Sequence, residues 1–172
     1  MKNRVRIIVA VLVFGLTAGL FAGCSGKQVE VKEAPVACST LLQQLCEAAD
    51  GMAFDKTVHY DEKDYSTYFE YWYDMPMRFV SDGAIAYVGD GNNADEISIL
   101  YPESSVTYDT VKKALERRID RQKKHFTGLI DEQAKRMESD SGVYESGGYL
   151  MYLVAENPDS IVEAFYAATK EP

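Results

Sequence analysis

Positive charge is in short supply in this chain: 18 Lys and Arg stand against 27 Asp and Glu, a formal net charge of −9. That balance argues against a nucleic-acid partner, which calls for a broadly basic face. Histidine is scarcer still, with only His59 and His125, so a metal centre or a Ser/His pair would have to use one of these two, both in polar surroundings. No H-E-x-x-H, G-x-S-x-G, Walker A loop or C-x-x-C occurs. Neither a metal nor a cofactor is expected. A paired-carboxylate hydrolase remains open, although among 27 acidic residues nothing selects a pair. The length of 172 residues leaves no room for a multidomain enzyme, at about 100 to 200 residues per domain. With 47% apolar and 26% charged residues, the composition is that of a folded domain rather than a disordered or collagen-like chain.

What is present begins with a targeting segment over residues 1–23. Lys2, Arg4 and Arg6 precede an apolar run, Ile7 to Leu20, of 14 residues. A bilayer-spanning helix needs about 20, so a signal peptide is the better reading. Leu20-Phe21-Ala22-Gly23-Cys24 resembles the lipobox of bacterial lipoproteins, in which the Cys receives a diacylglyceryl thioether and becomes the mature N-terminus. The expected location is the outer face of the bacterial cell membrane, lipid-anchored through Cys24. Loss of the three leader bases leaves 15 basic against 27 acidic residues, so the mature chain carries −12 and net charge cannot hold it at an anionic surface. Residues 24–36 read as a tether, and 37–172 as a single domain.

Thr40-Leu41-Leu42-Gln43 looks like a capping box opening a helix whose apolar face holds Leu41, Leu42, Leu45, Cys46 and Ala49, with Gly51 as its stop. Cys38 and Cys46 would then lie about 12 Å apart along the axis, too far for a disulfide unless Cys38 folds back. Cys46 is expected as a small core residue.

Ala84 to Val88 and Glu96 to Tyr101 read as strands joined by Gly89 to Asp95. The connecting loop is rich in oxygen ligands but lacks the glycine and terminal glutamate of an EF-hand, so a plain hairpin is favoured. Ile97, Ile99 and Tyr101 alternate with Glu96, Ser98 and Leu100, giving one clearly apolar face.

The strongest helical pattern runs from Val106 to about Met137. Val111, Leu115, Ile119, Gln122, Phe126 and Leu129 form one stripe, Thr107 or Asp109 can cap its start, and Gly128 divides it. Lys113, Arg117, Arg121 and Lys124 line up on the opposite side and could dock a phosphate-rich wall polymer, lipid headgroups or an acidic partner, or could be a solvated face. Arg118 instead borders the apolar stripe and needs a partner; Glu96 is the candidate, as a structural ion pair. Farther on, Gly147-Gly148 joins two more strand-like runs, and Asn157-Pro158 opens a last helix carrying Ile161, Val162, Phe165 and Ala168. The expected class is α+β, an antiparallel sheet of two hairpins with helices packed on one face.

Ala94-Asp95-Glu96-Ile97-Ser98-Ile99, the run Val111 to Lys124 with Phe126, the Gly147-Gly148-Tyr149 hairpin and the terminal helix together resemble the domain of unknown function 4358 family, over roughly Ala84 to Ala168. Those are small lipoproteins found mainly in Firmicutes. The resemblance implies an extracytoplasmic lipoprotein without a known activity, and no functional residue is carried over from it. The aromatic segment before Pro76 departs from the family pattern.

That segment, Tyr60 to Tyr73, holds seven aromatic rings. Tyr65, Phe69 and Tyr73 have the spacing of a helix face packed on a core. Tyr68, Tyr71 and Trp72 are left over and could stack on sugars or anchor a partner protein. The functional expectation is a lipid-anchored binding or accessory lipoprotein that docks an envelope protein or a cell-wall component. The alternative is the small envelope hydrolase.

Overall fold

A computed structural model describes residues 33–170. The leader, Cys24 and most of the tether lie outside the described residues. In chain order the elements are α1 (Cys38–Ala48), β1 (Lys56–His59), α2 (Tyr65–Tyr73), a 3-10 turn (Met77–Phe79), β2 (Val80–Tyr87), β3 (Glu96–Pro102), α3 (Ser105–Phe126), α4 (Asp131–Ser139), β4 (Ser141–Ser146), β5 (Tyr149–Val154) and α5 (Pro158–Thr169). The strands form one antiparallel sheet in the order β1-β2-β3-β5-β4, so the class is α+β.

Both expected hairpins are present, and a fifth strand joins them. β1 pairs with β2 from Lys56↔Tyr87 to His59↔Ala84. At four residues, with only Val58 buried, it carries no usable alternation and forms because β2 offers it an edge. Helices cover both faces of the sheet, where the sequence pattern had suggested one. The reason lies in β3 and β5, which are buried at every residue. Ile97, Ile99, Met151 and Leu153 pack under α1 and α5 with Leu41, Leu45, Ile161 and Phe165. Leu100, Leu150, Tyr152 and Val154 turn the other way, onto α2, α3 and α4 through Phe69, Val111, Leu115 and Met137. The face of β3 that carries Glu96 and Ser98 is therefore a second interior and not a wet surface.

Two helix starts differ from expectation, each for a local reason. Ser104 caps α3: its hydroxyl accepts from the Thr107 N–H at 3.4 Å, and the Thr107 hydroxyl accepts from the Ser104 N–H at 3.1 Å, so Thr107 is the third helical residue of a capping box rather than the cap. α1 begins at Cys38, ahead of the suggested box, and Ala37 offers it no side-chain cap. The cap comes from across the fold. A bulge in β2 between Val80 and Asp82 presents the Asp82 carboxylate, which accepts from the Cys38 N–H at 2.7 Å and the Gly83 N–H at 2.8 Å. Cys38 and Cys46 are free thiols within one helix, and it is Cys38 that sits fully in the core while Cys46 is half-buried. At the far end of α3 the positive φ of Gly128 turns the chain and leaves Leu129 72% exposed, off the apolar stripe. Just before α1, the Tyr149 hydroxyl donates to the Val36 carbonyl and accepts from the Val36 N–H, both at 2.7 Å.

Candidate functional site

α2 is an aromatic helix with two uses. Tyr65, Phe69 and Tyr73, four residues apart, stack in file against the sheet with ring centroids 5.4 and 5.3 Å apart, and all three are fully buried. Turning those rings inward directs Tyr68, Tyr71 and Trp72 along the helix flank. There they wall a cleft of about 560 Å³ whose other sides are the β2–β3 loop and the second half of α3. Tyr87, Arg121 and His125 complete the walls and rim. Four of the contact residues suggested by the sequence, Tyr68, Tyr71, Trp72 and Arg121, thus come together in one place. Lys113, Arg117 and Lys124 do not: they lie on the exposed side of α3, outside the cleft lining, and form no ion pair among the described residues.

The floor is a buried polar network. Glu96, 1% exposed, accepts four hydrogen bonds. Oε1 takes the Tyr73 hydroxyl at 2.7 Å and the Ser98 hydroxyl at 3.0 Å; Oε2 takes Arg118 at 2.7 Å and the Gln122 amide at 2.9 Å. Gln122 passes the network on, accepting from the Tyr152 hydroxyl at 2.7 Å. A buried carboxylate is tolerable only when its lone pairs are filled and its charge is matched, and both hold here. Burial, and then the Glu96 charge, push the Tyr73 and Tyr152 phenols well above their ordinary range, so they act as donors. Burial opposes the charge on Arg118, but the Glu96 carboxylate outweighs it and raises the guanidinium pKa. The same guanidinium lies over the Trp72 ring, 4.5 Å from its centroid, while Tyr87 meets that ring edge-on at 4.8 Å. Trp72 is held in place by an ion pair beneath it.

Arg121 donates to the Trp72 carbonyl and has no carboxylate partner among the described residues. The other acid in the lining, Asp95, is bound by Arg136 at 2.7 Å. The β2–β3 loop is stiffened from within: Asp90 accepts from the Asn92 N–H, and Asn93 from the Asp95 N–H, each at 2.8 Å. Partial burial, then Tyr68, push the Tyr87 phenol up to about 12. The arrangement is suited to holding a ligand, with both lining acids, Asp95 and Glu96, already engaged by arginines.

A second hollow, of about 410 Å³, lies between α1 and β1 and includes Cys46 and His59. The His59 side chain is a third exposed, with Nε2 3.9 Å from Glu62 and Nδ1 buried without a partner. Burial, and then Glu47, raise the Cys46 pKa, which keeps it a thiol and not a nucleophile. Among the described residues no three His, Cys, Asp or Glu side chains are grouped to hold a metal, and no helix is long and apolar enough to cross a membrane.

Tyr87, Gln122 and His125 are cleft residues that pattern reading passed over as strand end, stripe member and exposed polar residue. With fold and cleft described, the chain can be placed among known proteins. Residues 54–155 match the family described as Domain of unknown function (DUF4358), and the chain belongs to that family. The match takes in the aromatic segment, which had looked foreign to the family, and stops before α5. No curated protein and no solved structure matches the chain.

Proposed function

We propose that the protein is a lipid-anchored binding lipoprotein of the bacterial cell envelope, held on the outer face of the membrane through Cys24 and docking a partner protein or wall component in the aromatic cleft. The observation that carries the binding role is the state of the cleft's acids. Asp95 and Glu96 are each engaged by an arginine, Arg136 and Arg118, at 2.7 Å, while Tyr68, Tyr71 and Trp72 stand as a contact surface with no reactive group among them. The alternative, a paired-carboxylate hydrolase, would need one acid free to carry a proton and one to attack or activate water. Support for the anchor is the leader pattern ending at Cys24.

The test is a photo-cross-linking residue placed in living cells at Tyr71, which is 80% exposed at the cleft, and at Tyr166, which is exposed on α5 and lies outside the cleft lining. Adducts at position 71 and none at 166 are expected. Equal capture at both, or none at either, would remove the cleft from the argument. Labelling with a fatty-acid analogue should mark the wild-type chain and not Cys24→Ala.

A further inference from the structure

From the charge and shape of that cleft we infer that its ligand is an anionic saccharide: a sugar stacked on the aromatic wall with a carboxylate or phosphate received by Arg121. The inference rests on the binding role proposed above and narrows it to a chemical class. Three observations lead to it.

The first is charge. In a mature chain at −12, the cleft lining sets two arginines, Arg118 and Arg121, against two acids, Asp95 and Glu96, with Asp55 and Asp90 at its loop side. Its two acids are neutralised by Arg118 and Arg136, whereas Arg121 spends its hydrogen bonding on a neutral carbonyl and keeps its charge uncompensated among the described residues. A guanidinium of this kind at the mouth of a cleft is suited to carboxylate or phosphate oxygens.

The second is the character of the walls. Tyr68, Tyr71, Trp72 and Tyr87 line the cleft with polar-tipped rings; Trp72 carries Arg118 over its ring and meets Tyr68 and Tyr87 edge-on, and Tyr71, 80% exposed, is the ring open to stacking. Rigid amphipathic rings suit a ligand that is apolar on one side and hydroxylated at its edge, which describes a pyranose. The volume of about 560 Å³ falls among pockets that hold small molecules, typically about 300 to 1,000 Å³.

The third observation disfavours a peptide. Tyr87 and Glu96, at the ends of β2 and β3, border the cleft, and both strands are interior to the sheet with ladder partners on either side. An extended peptide would find no free strand edge to join. An amphipathic peptide helix would need a continuous apolar groove, and this floor is interrupted by Glu96, Arg118 and Gln122.

Trp72 is the only tryptophan in the chain, so its fluorescence reports the cleft directly. The full chain, solubilised in detergent, is titrated with four probes, and saturation-transfer NMR of the ligand protons is read in parallel. The probes are N-acetylglucosaminyl-N-acetylmuramic acid and its neutral counterpart chitobiose, and N-acetylglucosamine phosphate and its neutral counterpart N-acetylglucosamine. At least one anionic probe is expected to bind about tenfold more tightly than its neutral partner, with Arg121→Gln removing that preference and Arg121→Lys restoring part of it. Which anionic probe responds identifies the source of the charge. Equal affinity for charged and neutral sugars, unmoved by Arg121→Gln, overturns the anionic assignment and leaves a binding cleft standing. Silence with all four probes, while Tyr71 cross-links to a protein in cells, overturns the saccharide and keeps the docking role. Silence in both experiments ends both readings.

Discussion

Replacing Glu96 by glutamine keeps the shape of the side chain and removes its charge from the floor of the cleft. Two consequences follow. Arg118, whose side chain is 15% exposed, keeps a positive charge with no counter-ion. One end of the new amide is a donor placed where two donors already point, either Tyr73 with Ser98 or Arg118 with Gln122. Breaking a buried pair by removing one partner costs about 3 to 5 kcal/mol, and because the edge of Arg118 reaches the cleft and its water, the lower figure of about 3 is expected. Arg118→Met leaves Glu96 with three neutral donors and loses the cation over Trp72, so a cost of about 3 kcal/mol is expected there too. The double variant Glu96→Gln/Arg118→Met removes both charges together and should cost about 3 kcal/mol instead of about 6, a coupling of roughly that difference. Urea unfolding followed by circular dichroism measures each corner of the cycle, and a loss of 3 kcal/mol should lower Tm by about 10 °C in a domain of this size. Trp72 emission serves as a local probe only, because Arg118→Met changes its surroundings directly. Additive single effects, or a Glu96→Gln cost below about 1 kcal/mol, would refute the claim that this pair holds the floor together.

Other expectations concern the frame around the cleft. A side chain at Gly83 would run into the Tyr65 hydroxyl and stand 3.1 Å from Leu100, so Gly83→Ala should cost about 1 to 3 kcal/mol by thermal melting. The Tyr65 hydroxyl is buried without a partner, so Tyr65→Phe should be neutral or stabilising and should rescue part of that loss; a further decrease would contradict the packing. Asp82→Ala removes the side-chain cap at the start of α1 and should cost about 0.5 to 2 kcal/mol, with earlier loss of amide-exchange protection at the start of α1 than elsewhere. Glu145 is held below its usual range by hydrogen bonds first from Lys112 and then from Tyr108. A depressed carboxylate stabilises above its unfolded pKa and loses that contribution as pH falls through its folded one, so any effect of Lys112→Ala should vanish in acid; the pair is exposed, and the effect at neutral pH should be small. At neutral pH Cys46 should alkylate slowly, because burial and then Glu47 raise its pKa, and Cys38 only after unfolding; a third reactive thiol in denaturant would count against acylation of Cys24.

The elements with strong periodicity were legible in the sequence. Those that depend on a neighbour were not. α3 announces itself through Val111, Leu115 and Phe126, and the two glycine-marked hairpins through their turns, because helix and hairpin signals are local. β1 is invisible by the same standard, since only pairing with β2 makes residues 56–59 a strand. The cap of α1 is carried by Asp82, 44 residues downstream of Cys38, and no local motif encodes it. The second buried face of β3 was masked by Glu96 and Ser98, which read as solvent-facing until Tyr73, Arg118 and Gln122 are seen to satisfy them. Of the cleft, the aromatic surplus on α2 and the pairing tendency of Arg118 were visible; the selection of Arg121 from a stripe of four bases was not, because only the tertiary fold brings one of them beside Trp72.

The clasp between Tyr149 and Val36 bears on how the domain responds to a pull. Tension arriving along the chain ahead of α1 meets β5 through that phenol and β2 through Asp82, and both are interior strands. A tug at this point loads the middle of the sheet and spares its frayable borders. Under the anchorage proposed above, such a load passes into the interior of the sheet before it peels the first helix.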